Sequence, residues 1–156
     1  MRHGEAAEGI PDAGRALTAT GKSDAAAVSE FLKKSGVGVN LIWHSPRVRA
    51  KQTAEIAGKI LNPKAALVER NDLNPHDSVE RAADQLEMLF QEKQGERLLV
   101  VGHLPFLHKL VSQLLTRSPN FDLFIYPEAS VVHLERDGRA YQLKWAITPD
   151  LIAQNF

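Results

Sequence analysis

The residues best suited to chemistry stand at the start of the chain, where the triplet Arg2-His3-Gly4 occurs. It places a fixed cation, an imidazole and a residue with free backbone geometry at consecutive positions, which suits a nucleophile that handles a phosphoryl group. Two later stretches supply a second arginine and a second histidine. Residues 45–54 (SPRVRAKQTA) contain Arg49, and residues 100–105 (VVGHLP) contain His103. Together these residues predict a phosphate-handling site.

Composition limits the classes of protein that this chain can represent. With 156 residues, 44% of them hydrophobic and 24% charged, we expect one globular domain. Lys+Arg and Asp+Glu are both 19, so no overall charge favours nucleic acid or an anionic membrane. The absence of cysteine excludes disulfides, zinc-thiolate sites and a cysteine nucleophile. Without a membrane-length apolar run or a signal-peptide layout, a cytoplasmic protein is expected.

Apolar spacing and turn residues predict four helices and five strands. The helices are expected within 17–35, with Thr18 or Thr20 as the N-cap, from Pro46 to Asn62-Pro63, from Ser78 to Gly95, and from Pro105 to about Leu115. The strands are expected at 39–43, 66–68 and 97–102, and in a hairpin of 131–135 and 141–147 around Asp137-Gly138.

Strands that alternate with helices predict an α/β sandwich with a mostly parallel sheet. In such sheets ligands bind beyond the carboxyl ends of the strands, and Ser45, Arg49 and His103 all follow predicted strands. The Arg-His-Gly triplet should follow a strand too, yet only Met1 precedes it. Either the first strand is missing before Met1, or something other than a central strand holds the triplet.

These motifs resemble the histidine phosphatase superfamily, also called the phosphoglycerate mutase-like family. The resemblance rests on Arg2-His3-Gly4, Ser45-Pro46 with Arg49-Ala50 and Gln52-Thr53, and Gly102-His103, in this order and at similar spacing. The short length, Leu17-Thr18 with Gly21, and Ala129-Ser130-Val131 are similar to the SixA-type phosphohistidine phosphatase branch. The resemblance implies one histidine phosphatase domain over residues 1–156, folded as a three-layer α/β/α sandwich.

The resemblance also implies a reaction and the residues that perform it. His3 would attack phosphorus and become a phosphohistidine that water then hydrolyses, with His103 as a second catalytic residue. Arg2 and Arg49 would bind the phosphoryl oxygens, since arginine stays charged and presents forked donors. Arg47 would then lie at the rim of the site.

The general acid is the least defined part of the predicted site. Many members of the family place a glutamate after the third strand, and the nearest candidate here is Asp72, with Glu5 as the other possibility. The phosphohistidine branch departs from that pattern. An imidazole leaves phosphorus far more readily than an alkoxide does, so the departure favours a labile phosphoramidate substrate.

The expected substrate is phosphohistidine in a signalling or phosphotransfer protein, with no nucleic-acid or membrane partner. The alternatives are a broad phosphatase of small phosphomonoesters and a phosphoryl-binding module without turnover. No cofactor or metal is expected, because His3 and His103 do not form a ligand pair at i, i+4 and nearby arginines would repel a cation. The other histidines have no comparable sequence context: His44, His76, His108 and His133.

Overall fold

The computed structural model describes residues 1–9 and 11–154, and the elements named below belong to that part of the chain. In chain order they are a 3₁₀ turn Asp12–Gly14, α1 Ala19–Lys34, β1 Leu41–His44, α2 Val48–Leu61, β2 Ala66–Glu69, α3 Val79–Glu92, β3 Leu98–Val101, α4 Phe106–Thr116, β4 Val131–Asp137, β5 Ala140–Ile147 and α5 Pro149–Ala153. The predicted helices and strands are present, with ends shifted by a few residues, and α5 and the 3₁₀ turn were not predicted.

The central sheet is parallel, with the strand order β2-β1-β3. Trp43 of β1 pairs with Val68 on one side and Val100 on the other, so the carboxyl ends of the three strands lie at one edge. β4 and β5 form the predicted antiparallel hairpin around Asp137-Gly138. The sheet therefore carries the residues after β1 and β3 to a common edge.

The start of the chain lies beside β3 in the position of a further parallel strand. Arg2 forms a parallel bridge with Gly102, and the His3 amide donates to the Gly102 carbonyl at 3.0 Å. On the other side, the Arg2 amide donates to Ser130 and the Ala129 amide donates to His3, both at 3.0 Å. The backbone of His3 is thus held from both sides.

Two apolar clusters cover the two faces of the sheet, as the alternation of strand side chains requires. Ile42 packs with residues of α1, α2 and α5, whereas Leu41 and Trp43 pack with residues of α3 and α4. The predicted three-layer α/β/α sandwich with a mostly parallel sheet is therefore confirmed.

The helix ends follow the signals in the sequence. The side chain of Thr18 accepts from the Gly21 amide at the start of α1, and Ser78 accepts from the Arg81 amide at the start of α3. Gly36, just after α1, has φ +76°, a conformation that glycine adopts without strain. None of the helices that the structure describes is long and apolar enough to cross a membrane.

Candidate functional site

The imidazole of His3 is buried, and its two nitrogens have different partners. Nδ1 lies 2.7 Å from the Gly4 carbonyl oxygen, which only accepts, so Nδ1 carries the proton and donates. Nε2 lies 3.2 Å from Nε of Arg49, which only donates, so Nε2 accepts. The tautomer is therefore fixed with the lone pair on Nε2, which faces the Arg49 guanidinium.

The surroundings of His3 keep its imidazole neutral. Burial, with smaller contributions from the charges of Arg49, Arg2 and Arg15, lowers the pKa of His3 to about 4, against the raising effect of the bond to Gly4. Near neutral pH the ring is uncharged, and its Nε2 lone pair is available to an electrophile.

Arg49 reaches His3 from the first turn of α2. The turn before this helix forms where the Ser45 hydroxyl, directly after β1, accepts from the Arg47 amide at 3.2 Å. The Arg49 side chain is buried, and burial lowers its pKa to about 10, which leaves it charged at neutral pH. The structure thus places a fixed cation against the predicted nucleophile.

His103 follows β3, and its ring centroid lies 5.0 Å from that of His3. Its Nε2 is 2.5 Å from the Ser45 hydroxyl. Burial, with smaller contributions from the nearby charges of the site, lowers the pKa of His103 to about 2. Its Nδ1 is buried and has no hydrogen-bond partner within residues 1–9 and 11–154. When the Ser45 hydroxyl donates to Nε2, the proton of the neutral ring is on Nδ1. This N–H can donate a hydrogen bond to a phosphoryl oxygen.

Arg2, the chain neighbour of His3, is held by residues that precede β4. Its guanidinium donates to the Tyr126 carbonyl at 2.9 Å and forms an ion pair with Glu128 at 3.3 Å. Its charge is among the causes that lower the pKa values of both His3 and His103. The structure therefore brings all four main site residues of the sequence analysis together: Arg2, His3, Arg49 and His103.

Asp12, in the 3₁₀ turn, is a site residue that the sequence analysis missed. Its carboxylate forms ion pairs with Arg15 at 3.2 Å, with Arg49 at 3.2 Å and with Arg47. Its backbone carbonyl also accepts from Nη1 of Arg49 at 2.8 Å. Arg47, which was expected at the rim of the site, forms one of these ion pairs with Asp12. The only sequence signal was an acid three residues before an arginine, which is common on protein surfaces.

The Gln52-Thr53 pair of α2 holds the loops of the site in place. The Thr53 hydroxyl accepts from the Gly4 amide at 3.1 Å and donates to the Arg49 carbonyl at 2.8 Å. The Gln52 side chain accepts from the Leu17 amide at 2.8 Å. These bonds connect the loop after His3 and the entry to α1 with the helix that carries Arg49.

Gly4 is required by close packing. Its φ is not positive, whereas a Cβ at this position would overlap the carbonyl oxygen of Gly21. A Cβ on Gly21 would in turn overlap the carbonyl oxygen of Glu5. The predicted reason for a glycine after His3, free backbone geometry, is therefore wrong, and the actual reason is the approach of α1 to this loop.

The carboxylates of the two candidate acids bind other side chains. Asp72 is held by Arg70 through hydrogen bonds of 3.1 and 2.8 Å; burial favours its neutral form, but the bonds and charge of Arg70 lower its pKa overall. Glu5 accepts from the Thr18 hydroxyl at 2.6 Å. Among the described residues, no hydrogen bond or ion pair joins either carboxylate to His3 or His103.

The arrangement suits an anion rather than a metal ion. In the part of the chain that the structure describes, no group of three or more His, Cys, Asp or Glu side chains has the geometry of a metal site. A cavity of about 930 Å³ lies elsewhere, between β3 and β4, and none of the four main site residues lines it. The chemistry of the cluster thus consists of one neutral imidazole lone pair, a second imidazole and guanidinium groups.

Comparison with known proteins shows similarity to histidine phosphatases. The model of the histidine phosphatase superfamily (branch 1) matches residues 1–74. The phosphohistidine phosphatase SixA of Escherichia coli (strain K12) is 29% identical over 150 residues, which cover 96% of this chain and 91% of SixA.

Solved structures extend the similarity to the fold. The protein histidine phosphatase SixA complexed with tungstate superposes with a TM-score of 0.88 and 27% identity, over 97% of this chain and 96% of that one. A mycobacterial glucosyl-3-phosphoglycerate phosphatase has a TM-score of 0.72 and 19% identity, over 92% of this chain and 95% of that one. The latter likeness concerns the fold alone.

Proposed function

We propose that this chain is a histidine phosphatase and that it removes the phosphoryl group of phosphohistidine in a protein. One observation carries the proposal. The His3 ring is fixed with its proton on Nδ1 and its lone pair on Nε2, directly beside a buried guanidinium. A nucleophile for phosphorus needs this combination of an unprotonated nitrogen and adjacent positive charge.

In the proposed reaction, Nε2 of His3 attacks phosphorus while the bond from phosphorus to the substrate imidazole nitrogen breaks. The substrate leaves with its electron pair and takes a proton from solvent. Water then attacks the phosphorus of the phosphohistidine, and the bond between phosphorus and Nε2 breaks with its electron pair returning to Nε2. Inorganic phosphate leaves with the oxygen and the protons of the water. Arg49, Arg2 and the Nδ1 proton of His103 stabilise the charge on the phosphoryl oxygens.

The position of Asp72 supports a phosphoramidate over an alkyl ester. An alkoxide leaving group needs a proton in the transition state, and a charged carboxylate bound to Arg70 is a poor donor. An imidazole leaving group needs such a proton much less. The similar SixA structure was solved in complex with tungstate, an oxyanion, and this supports the binding of a phosphoryl group by a protein of this fold.

The test is phosphate release from a phosphohistidine-bearing peptide by the wild type and by His3→Ala. Loss of release in His3→Ala, with normal release in the exposed control His76→Ala, is the expected result. Release by His3→Ala at the wild-type rate would refute the nucleophile. Release from a sugar phosphate but not from the peptide would favour a small-molecule phosphatase, and release from neither would favour a phosphoryl-binding module.

A further inference from the structure

A short segment beside the site exposes an unusual set of apolar side chains. Within residues 121–125, Phe121 is 53% exposed, Leu123 is 42% exposed and Ile125 is 88% exposed. The intervening Phe124 packs into the apolar cluster around α3 and α4. Single exposed apolar residues are ordinary, but three within five residues concentrate exposed apolar surface on one short segment, and concentrated apolar surface marks interaction sites. We call residues 121–125 the apolar ledge.

The ledge is an ordered platform, because hydrogen bonds hold its backbone along its length. The Phe121 amide donates to the Ser112 hydroxyl of α4 at 3.1 Å, and Nε2 of His108, also on α4, donates to the Phe124 carbonyl at 2.7 Å. The ring of His108 additionally contacts that of Phe124, with centroids 5.4 Å apart. A partner therefore meets a surface that is already organised, which reduces the entropy cost of binding.

The ledge is continuous with the candidate site. Tyr126, the next residue, is buried, and its carbonyl accepts from the guanidinium of Arg2, the neighbour of His3. Six residues, from Phe121 to Tyr126, reach at most about 20 Å, so the ledge extends from the edge of the site over a distance that suits a protein surface rather than a small molecule.

Charge fixes which part of a partner meets the ledge. The phosphoryl group is an anion, and the guanidinium of Arg2 is bound to the Tyr126 carbonyl, at the end of the ledge next to the site. A protein whose phosphohistidine enters the site must therefore place the surface around that histidine against the outer part of the ledge.

We propose that the apolar ledge is the docking surface for a phosphohistidine-bearing protein, whose apolar side chains beside the phosphorylated histidine pack on Phe121, Leu123 and Ile125. The proposal rests on the function proposed above and adds where the protein substrate is recognised. Because the ledge lies outside the phosphoryl site, it contributes to binding of the protein and not to the chemical step.

Two substrates and a matched variant test the proposal. The protein substrate is a histidine-containing phosphotransfer domain phosphorylated with phosphoramidate, and the small substrate is free phosphohistidine. In Phe121→Ser/Ile125→Ser, we expect kcat/KM on the domain to fall about tenfold or more, mainly through KM, while kcat/KM on free phosphohistidine stays within about twofold. The control Met88→Ser, which truncates an apolar side chain that is 60% exposed on α3, should change neither value.

Unchanged turnover of the phosphotransfer domain by the double variant would overturn the docking proposal. An equal loss of turnover on both substrates, with an unchanged thermal midpoint, would overturn it too. Wild-type protein that hydrolyses free phosphohistidine but not the domain would overturn it as well, while leaving the phosphoramidate chemistry standing. Failure of the wild type on both substrates would instead refute the proposed function, and the docking proposal with it.

Discussion

Arg49 donates from its Nε to Nε2 of His3 at 3.2 Å, so the buried cation of the site touches the atom that the proposed reaction uses as nucleophile. This bond engages the lone pair of His3, and in the proposed reaction an incoming phosphoryl group takes the place of the guanidinium. The same contact keeps the imidazole in the Nδ1–H tautomer, since a guanidinium cannot accept a hydrogen bond.

The first prediction concerns the protonation of His3. Burial and the surrounding arginines lower its pKa to about 4, so the ring should remain neutral, with the proton on Nδ1, from pH 8 down to about pH 5. Proton-nitrogen correlation spectra of the imidazole, followed through a pH titration, measure both the tautomer and the pKa. A pKa for His3 between 6 and 7 would contradict the prediction.

The lowered pKa of His3 also predicts how the free energy of unfolding depends on pH. Between the unfolded pKa of 6.5 and the folded pKa of about 4, the unfolded chain takes up a proton at His3 that the folded chain does not. The free energy of unfolding should therefore fall as pH falls through this window, by at most about 1.4 kcal/mol per pH unit for this histidine. Urea unfolding at several pH values, compared between the wild type and His3→Gln, isolates the contribution. Equal slopes in the two proteins would argue against it.

Asp12 is predicted to weaken anion binding, because its carboxylate competes with the phosphoryl group for the guanidinium groups of Arg47 and Arg49. Asp12→Asn keeps the backbone carbonyl that accepts from Arg49 and removes only the charge. We expect inorganic phosphate to bind roughly three to ten times more tightly to this variant. Isothermal titration calorimetry measures the affinity, with the exposed hairpin substitution Asp137→Asn as the control. Weaker binding would mean that Asp12 mainly positions Arg49.

Asp72→Asn is predicted to have little effect on turnover of phosphohistidine. The carboxylate is bound to Arg70 and its pKa is lowered, so it is charged and does not serve as a proton donor. We expect kcat on a phosphohistidine peptide to change by less than about threefold, whereas the loss of a general acid costs about 10²-fold or more. A hundredfold loss, with the thermal midpoint unchanged, would restore Asp72 as the acid.

Gly21→Ala is predicted to destabilise the protein, because the added Cβ would overlap the backbone of Glu5 in the loop after His3. The loop or α1 must shift, at a cost of about 1–3 kcal/mol, which lowers the thermal midpoint by several degrees. Gly14→Ala is the matched control, since its Cβ would meet only Pro11, at 4.0 Å. Differential scanning calorimetry compares the two variants. Equal midpoints would show that the two backbones can separate without cost.

The positions of Arg49 and His103 could be predicted from local sequence, because each follows a short apolar strand. Parallel strands end at one edge of a sheet, and any residue directly after such strands is carried to that edge. The helices were predictable for a similar reason. Thr18 and Ser78 cap helices through bonds to amides only three residues away, so their effect depends on nearby sequence alone.

The sequence by itself therefore determined the layered α/β fold and the identity of the four residues that meet in the site. The tertiary structure decided what those residues touch. Asp12 lies in a 3₁₀ turn and contacts Arg49 only in the folded chain. Gly4 is required by a helix residue 17 positions away, and Asp72 forms an ion pair with Arg70. The physical reason is the range of the interactions: caps and apolar spacing act within a few residues, whereas ion pairs and backbone packing between distant segments exist only in the folded chain.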